Sequence, residues 1–199
     1  MNAPLPRIVL ASESPRRQEI LARILPVFDV VPSGVPEHEI PGVSPCELAV
    51  TLAEEKARAV WNGNQDAMVI GADTIVVLES VIMGKPENSL DAEQMLNRLS
   101  GNTHEVITGV AVVDGREDWR FHVTTRVTFQ LLTSAEIQWY VDTGEPFDKA
   151  GAYGIQGHGA RLIKEIQGDY LNVVGFPLSA FYRKLVEKGV DPSEIMNRS

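Results

Sequence analysis

The chain of 199 residues is 44% hydrophobic and 23% charged, ordinary proportions for a folded domain that exclude a disordered one. Its formal charge of −9 argues against general nucleic-acid binding, which needs a basic face. A single cysteine, Cys46, excludes an internal disulfide framework, and four scattered histidines argue against a structural zinc site. The longest apolar runs, Met68–Ala72 and Thr74–Leu78, are strand-sized and separated by Asp73, so no membrane span is expected. The opening Met-Asn-Ala-Pro-Leu-Pro lacks the basic and apolar regions of a secretory signal. These features predict a cytoplasmic protein without a membrane or nucleic-acid partner. The length suits one domain over residues 1–199, or two small lobes sharing a core. Residues 1–25 hold Arg7, Arg16, Arg17 and Arg23 against Glu13 and Glu19, a net of +2 that leaves −11 on the rest. A basic start on an acidic body points to a small anionic ligand.

In chain order, Arg7–Ala11 predicts a short buried strand, and Ser12–Ser14 a turn. A helix follows from Pro15 to Leu25, with Ser14 at its N-cap and Pro15 at its first position. A second strand is expected over Phe28–Val31. A Pro/Gly-rich connection, Pro32–Pro45, then leads to a helix over Cys46–Trp61. Met68–Leu78, apolar on both faces, reads as a central strand. Ser89 is expected to cap a helix that ends at Leu99, before Ser100-Gly101. Glu105–Val113 and Phe121–Leu132 read as strands joined by a turn at Asp114-Gly115. Thr133 and Glu136 form a capping box for a helix that Gly144 stops. Glu145–Ala160 is irregular, and strand Arg161–Ile166 and helix Pro177–Lys188 close the chain. The alternation predicts an α/β fold with a mixed sheet.

Four segments carry chemistry. In Ser12-Glu-Ser-Pro-Arg-Arg17 a strand ends, two hydroxyls fill the turn, and a helix opens with two arginines. Cations disfavour a helix N-terminus, so a bound anion would explain them; pairing with Glu13 or Glu19 is the alternative. Asp73 interrupts an apolar run, where a carboxylate is costly unless paired or metal-bound. It is a candidate metal ligand or general base, or else a structural acceptor of backbone hydrogen bonds. Lys85, between Gly84 and Pro86, could meet a phosphate or occupy a surface turn; the spacing of a Walker loop is absent. Glu145–Gly157 gathers two carboxylates, a lysine and three glycines, the composition of a functional loop or a flexible lid.

Together these segments resemble the Maf family. The matching motifs are Leu10-Ala-Ser-Glu-Ser-Pro-Arg-Arg17, Gly71-Ala-Asp-Thr74, Gly84-Lys-Pro86, and Leu99-Ser-Gly101 with His104 and Thr108-Gly-Val110. Glu145–Gly157, Gly168-Asp-Tyr and Val173-Val-Gly-Phe-Pro177 complete the order, from about residue 8 to 185. Phe176 departs from the family's leucine. The resemblance implies a mixed twisted sheet with flanking helices, in two lobes around a nucleotide cleft, as in inosine triphosphatases. It implies water attack on the α-phosphorus of a nucleoside triphosphate with release of pyrophosphate, a divalent cation (Mg²⁺ or Mn²⁺), and Asp73 as proton acceptor. One branch of the family acts on dTTP and UTP, another on 7-methyl-GTP. Glutamine at Gln156, where the second branch has glutamate, resembles the first. By the same resemblance Arg16, Thr74 and Gln156 set specificity.

Hydrogen-bond chemistry agrees: one glutamine amide can accept from a pyrimidine N3–H and donate to a neighbouring carbonyl, whereas guanine's adjacent donors would prefer a carboxylate. Ser12, Arg16, Arg17, Lys56 and Lys85 are candidate phosphate contacts, with Lys56 alternatively a solvated helix charge. Asp73 and Glu37 are the candidate metal carboxylates. A homodimer is left open. The alternatives in function are the 7-methyl-GTP branch, activity on modified pyrimidine nucleotides, or a nucleotide-binding regulator of septum formation.

Overall fold

The computed structural model describes residues 7–36, 38 and 40–190. The order is β1 (Arg7–Leu10), α1 (Pro15–Leu21), β2 (Asp29–Val30), α2 (Pro45–Trp61), β3 (Ala67–Leu78), β4 (Val81–Met83) and α3 (Ser89–Leu99). Then come β5 (Thr103–Val113), β6 (Trp119–Phe129), α4 (Ser134–Asp142), three 3-10 turns between Glu145 and Leu162, β7 (Ile163–Gln167), α5 (Tyr170–Val174) and α6 (Leu178–Glu187). The strands form one mixed sheet in the order β2-β1-β3-β5-β6-β7, with β4 paired to β3. β1 runs parallel to β2 and β3; the β3–β4 and β6–β7 pairs are antiparallel. This is the expected mixed α/β architecture. Among the described residues no helix is long and apolar enough to cross a membrane.

The chain divides into two compact units. One holds the residues before 74, 108–123 and those from 175 on; the other holds 74–107 and 124–174. The boundary within β3 falls just after Asp73.

In the first unit α2 lies close on the sheet because both surfaces are small there. Ala49, Ala53 and Ala57, four residues apart, form one stripe of the helix. A β-carbon on Gly71 would lie 2.1 Å from the Ala53 carbonyl oxygen, and one on Gly109 2.2 Å from that of Ala49. Ala53, Ala57 and Val60 pack against Ala67, Val69, Ala111 and Val113 in a buried cluster. In the second unit Val76, Leu96, Leu99, Phe129, Ile137, Tyr140 and Tyr153 anchor a larger cluster.

Ser14 caps α1 and Ser44 caps α2, each followed by proline, and Thr133 with Glu136 forms the expected capping box on α4. Several expectations differ: the strand expected over Phe121–Leu132 is Trp119–Phe129, that over Arg161–Ile166 is Ile163–Gln167, and the short helix Tyr170–Val174 was not foreseen. α1 ends at Leu21 rather than Leu25, because hydrogen bonds there shorten (Arg23 N–H to Ile20, Ile24 N–H to Leu21), although Leu25 is still fully buried. Asn88, not Ser89, caps α3, its side chain accepting from the Asp91 amide at 3.0 Å. The β3–β4 hairpin was hidden because its two-residue turn is Glu79-Ser80, both with positive φ, where Asn-Gly would have signalled it.

Candidate functional site

Asp73 lies on the same face of β3 as Val69 and Gly71, beneath α2. The close approach of that helix brings Lys56 over the strand. Lys56 Nζ donates to Asp73 Oδ1 at 2.5 Å, with both side chains almost entirely buried. Lys56 is thus no solvated helix charge. The pairing also accounts for how a carboxylate survives inside an apolar strand.

Beyond the β1–β3 pairing the register Leu10↔Ile70 carries Ser12 out at the same end as Asp73. Ser12 is buried, and its Oγ accepts from the Ser14 amide at 3.2 Å and from Arg17 Nη1 at 3.3 Å. Arg17 Nε donates to the Gly175 carbonyl at 2.9 Å, which ties the start of α1 to the turn before α6. Arg16 is half-buried on the same helix turn. With only seven residues, α1 contributes a weak dipole, so the arginine side chains are the stronger attraction this segment offers an anion. Phe176 is buried edge-on to Phe181 with ring centres 5.1 Å apart, a packing position.

The second unit holds Thr74, half-buried in β3, with Lys85 exposed after β4 and Gln156 exposed at the head of the last 3-10 turn. Around Gln156 the loop is tied rather than loose. Glu145 Oε1 accepts from the Tyr140 hydroxyl at 2.9 Å and the Gly159 amide at 3.1 Å; Oε2 accepts from the His158 amide at 2.8 Å. Tyr140 Oη accepts in turn from the Gly154 amide at 3.1 Å. Lys149 Nζ donates to the Glu145 carbonyl at 2.6 Å and to Asp148 at 2.5 Å. Burial alone would push the Glu145 carboxyl up; its amide and hydroxyl donors and Lys149 outweigh that and hold it below the usual range. Glu145 and Tyr140 were not among the expected site residues. Their partners lie 5 to 14 positions away across turns, a pattern that no local spacing reveals.

Beneath the same loop His104 Nε2 and Tyr153 Oη are 2.7 Å apart, both buried, and burial lowers the imidazole to about 4.

Comparison with known proteins supplies the frame for these residues. The family model described as Maf-like protein matches residues 7–188. The chain belongs to the Maf family. It is 51% identical over 183 residues to the dTTP/UTP pyrophosphatase of Symbiobacterium thermophilum, covering 92% of this chain and 94% of that one. With the dTTP/UTP pyrophosphatases of Bacillus cereus and Bacillus anthracis it shares 48% identity over 185 residues, covering 93% of this chain and 97% of each. Among solved structures, the Ham1 protein of Staphylococcus aureus matches 62% of this chain and 71% of its own with a TM-score of 0.42 at 18% identity, too slight a likeness to carry an argument.

The metal expectation meets a sparse donor set. Among the described residues no three His, Cys, Asp or Glu side chains gather as a metal cage. Asp73 is the buried carboxylate in this region, and Glu37 lies outside the described residues. A carboxylate oxygen is the hard donor that Mg²⁺ and Mn²⁺ take, alongside phosphate oxygens and water.

Proposed function

We propose that this chain hydrolyses dTTP and UTP between the α- and β-phosphorus, releasing the monophosphate and pyrophosphate. The observation that carries the reading is the buried Lys56–Asp73 pair, a phosphate-seeking cation beside a carboxylate in a chain whose relatives bear that activity's name. A protein that only held nucleotide would gain nothing from a carboxylate next to a polyanion. That argues against the regulatory alternative. The glutamine at Gln156 argues against the guanine branch, since an amide both accepts and donates along a pyrimidine edge.

In this reading Asp73 orients the attacking water and takes its proton, while the two ammonium hydrogens of Lys56 not given to Asp73 meet phosphate oxygens. Arg16, Arg17, Ser12 and Lys85 offset the remaining phosphate charge, Arg17 already held in place by Ser12 and Gly175. Arg16, Thr74 and Gln156 set the substrate specificity. Asp73 would hold the Mg²⁺ or Mn²⁺, with Glu37 as second carboxylate; bound to the triphosphate, the cation would stabilise charge on the leaving pyrophosphate.

Hydrolysis of UTP in water labelled with oxygen-18 tests the reaction. The label is expected in UMP and not in pyrophosphate, with turnover abolished by chelation. Formation of UDP and orthophosphate, or label in pyrophosphate, would overturn it.

A further inference from the structure

The loop that carries Gln156 has no helix or strand to hold it, yet a side chain that reads a base by hydrogen bonds must be fixed in direction. The hydrogen bonds of the amides on either side of it lead to one carboxylate. Two amides just after Gln156, those of His158 and Gly159, end on Glu145, and the amide two residues before it, that of Gly154, ends on Tyr140, which itself donates to Glu145. The packing admits little else. Gly157 has a φ of +66°, and a β-carbon there would lie 2.7 Å from Glu145 Oε2. A β-carbon on Gly159 would lie 2.1 Å from the Gly154 carbonyl oxygen and 2.8 Å from the Tyr140 hydroxyl. Burial pushes the Tyr140 phenol up, so it stays protonated and can donate to Glu145 while accepting from Gly154.

We propose that Glu145 is a positioning residue for base selection, its carboxylate fixing the backbone on both sides of Gln156 so that the amide meets the pyrimidine edge in one orientation. The proposal rests on the reading of Gln156 given above. Glu145 itself touches no substrate. A carboxylate is required because all three of its partners donate. Glutamine would turn an NH₂ group toward an N–H or O–H.

The test compares wild type, E145Q, Q156A and the double variant by kcat/KM for UTP and GTP, with amide exchange of residues 157–159 as a readout independent of activity. E145Q is expected to lower the UTP-over-GTP ratio about tenfold, mainly through KM for UTP, and to speed exchange at His158 and Gly159. In the Q156A background E145Q is expected to change the ratio less than about twofold, because the residue it positions is already gone. A wild-type ratio in E145Q despite faster exchange would overturn the proposal, as would an undiminished drop in the Q156A background. If Q156A alone leaves the ratio unchanged, the reading of Gln156 falls, and the positioning role with it. Y140F, which removes the hydroxyl between Glu145 and Gly154, should shift the ratio in the same direction by about threefold, and decides the matter should E145Q fail to fold.

Discussion

Asp73 is a buried carboxylate and Glu145 a partly buried one, and the two regions satisfy them in opposite ways. Asp73 sits on a central strand and is neutralised by one buried ammonium that regular secondary structure delivers. Glu145 sits in an irregular loop and is satisfied by neutral donors, a phenol and two backbone amides. In the proposed reaction the first arrangement holds a charge beside the bond to be hydrolysed. The second uses charge to give shape to backbone. Rigidity in the first therefore comes from packing of α2 on β3, and in the second from hydrogen bonds together with close backbone packing.

The largest expected effect follows from removing the first carboxylate. Asp73→Asn keeps the shape but loses the base, so kcat should fall by roughly 10²–10⁴-fold while nucleotide affinity holds or improves. Leaving the Lys56 ammonium buried without its counter-charge should also lower stability by about 3 kcal/mol, read by urea unfolding. Retention of most of the activity would reassign Asp73 to structure and erase the contrast.

Packing is tested by Gly71→Ala. The added methyl would overlap the Ala53 carbonyl of α2, so the helix must lift from the strand, at a cost of about 1–3 kcal/mol in stability. Because Lys56 rides on that helix, turnover should fall with it while the UTP-over-GTP ratio stays. Unchanged stability would show that the close approach does not hold the pair.

The second region should respond to acid through His104. Folded, its imidazole is lowered by burial to about 4, against about 6.5 when unfolded. Protons therefore bind the unfolded state first, and stability contributed by the neutral ring is lost as pH falls from about 6.5 through about 4. The loss approaches about 3 kcal/mol, visible in unfolding midpoints between pH 7 and 4. His104→Gln should flatten that dependence; an identical profile would locate the acid response elsewhere.

Much of the fold was legible because local chemistry and final structure agree. Ser14-Pro15 and the Thr133–Glu136 box mark helix starts by hydrogen bonds made within four residues. The Glu79-Ser80 hairpin was not legible, since neither residue advertises positive φ. Asp73 stood out because a charge inside an apolar run demands a partner, but which partner was a tertiary fact: Lys56 is 17 positions away and reaches it only because Gly71 and Ala53 let the helix down. Glu145 could be seen as part of a polar loop but not as its organiser, since the amides it binds carry no sequence signature.

The division of labour between the two regions is tested most directly by Gln156→Glu set beside Asp73→Asn, with kcat/KM for UTP, dTTP, GTP and 7-methyl-GTP measured in both and in wild type. Gln156→Glu should cost the pyrimidine triphosphates about 1–3 kcal/mol in kcat/KM with kcat less affected, while guanine-type substrates hold or gain. Asp73→Asn should lower all four alike and preserve their ratios. Ratios that survive Gln156→Glu, or shift in Asp73→Asn, would contradict the account.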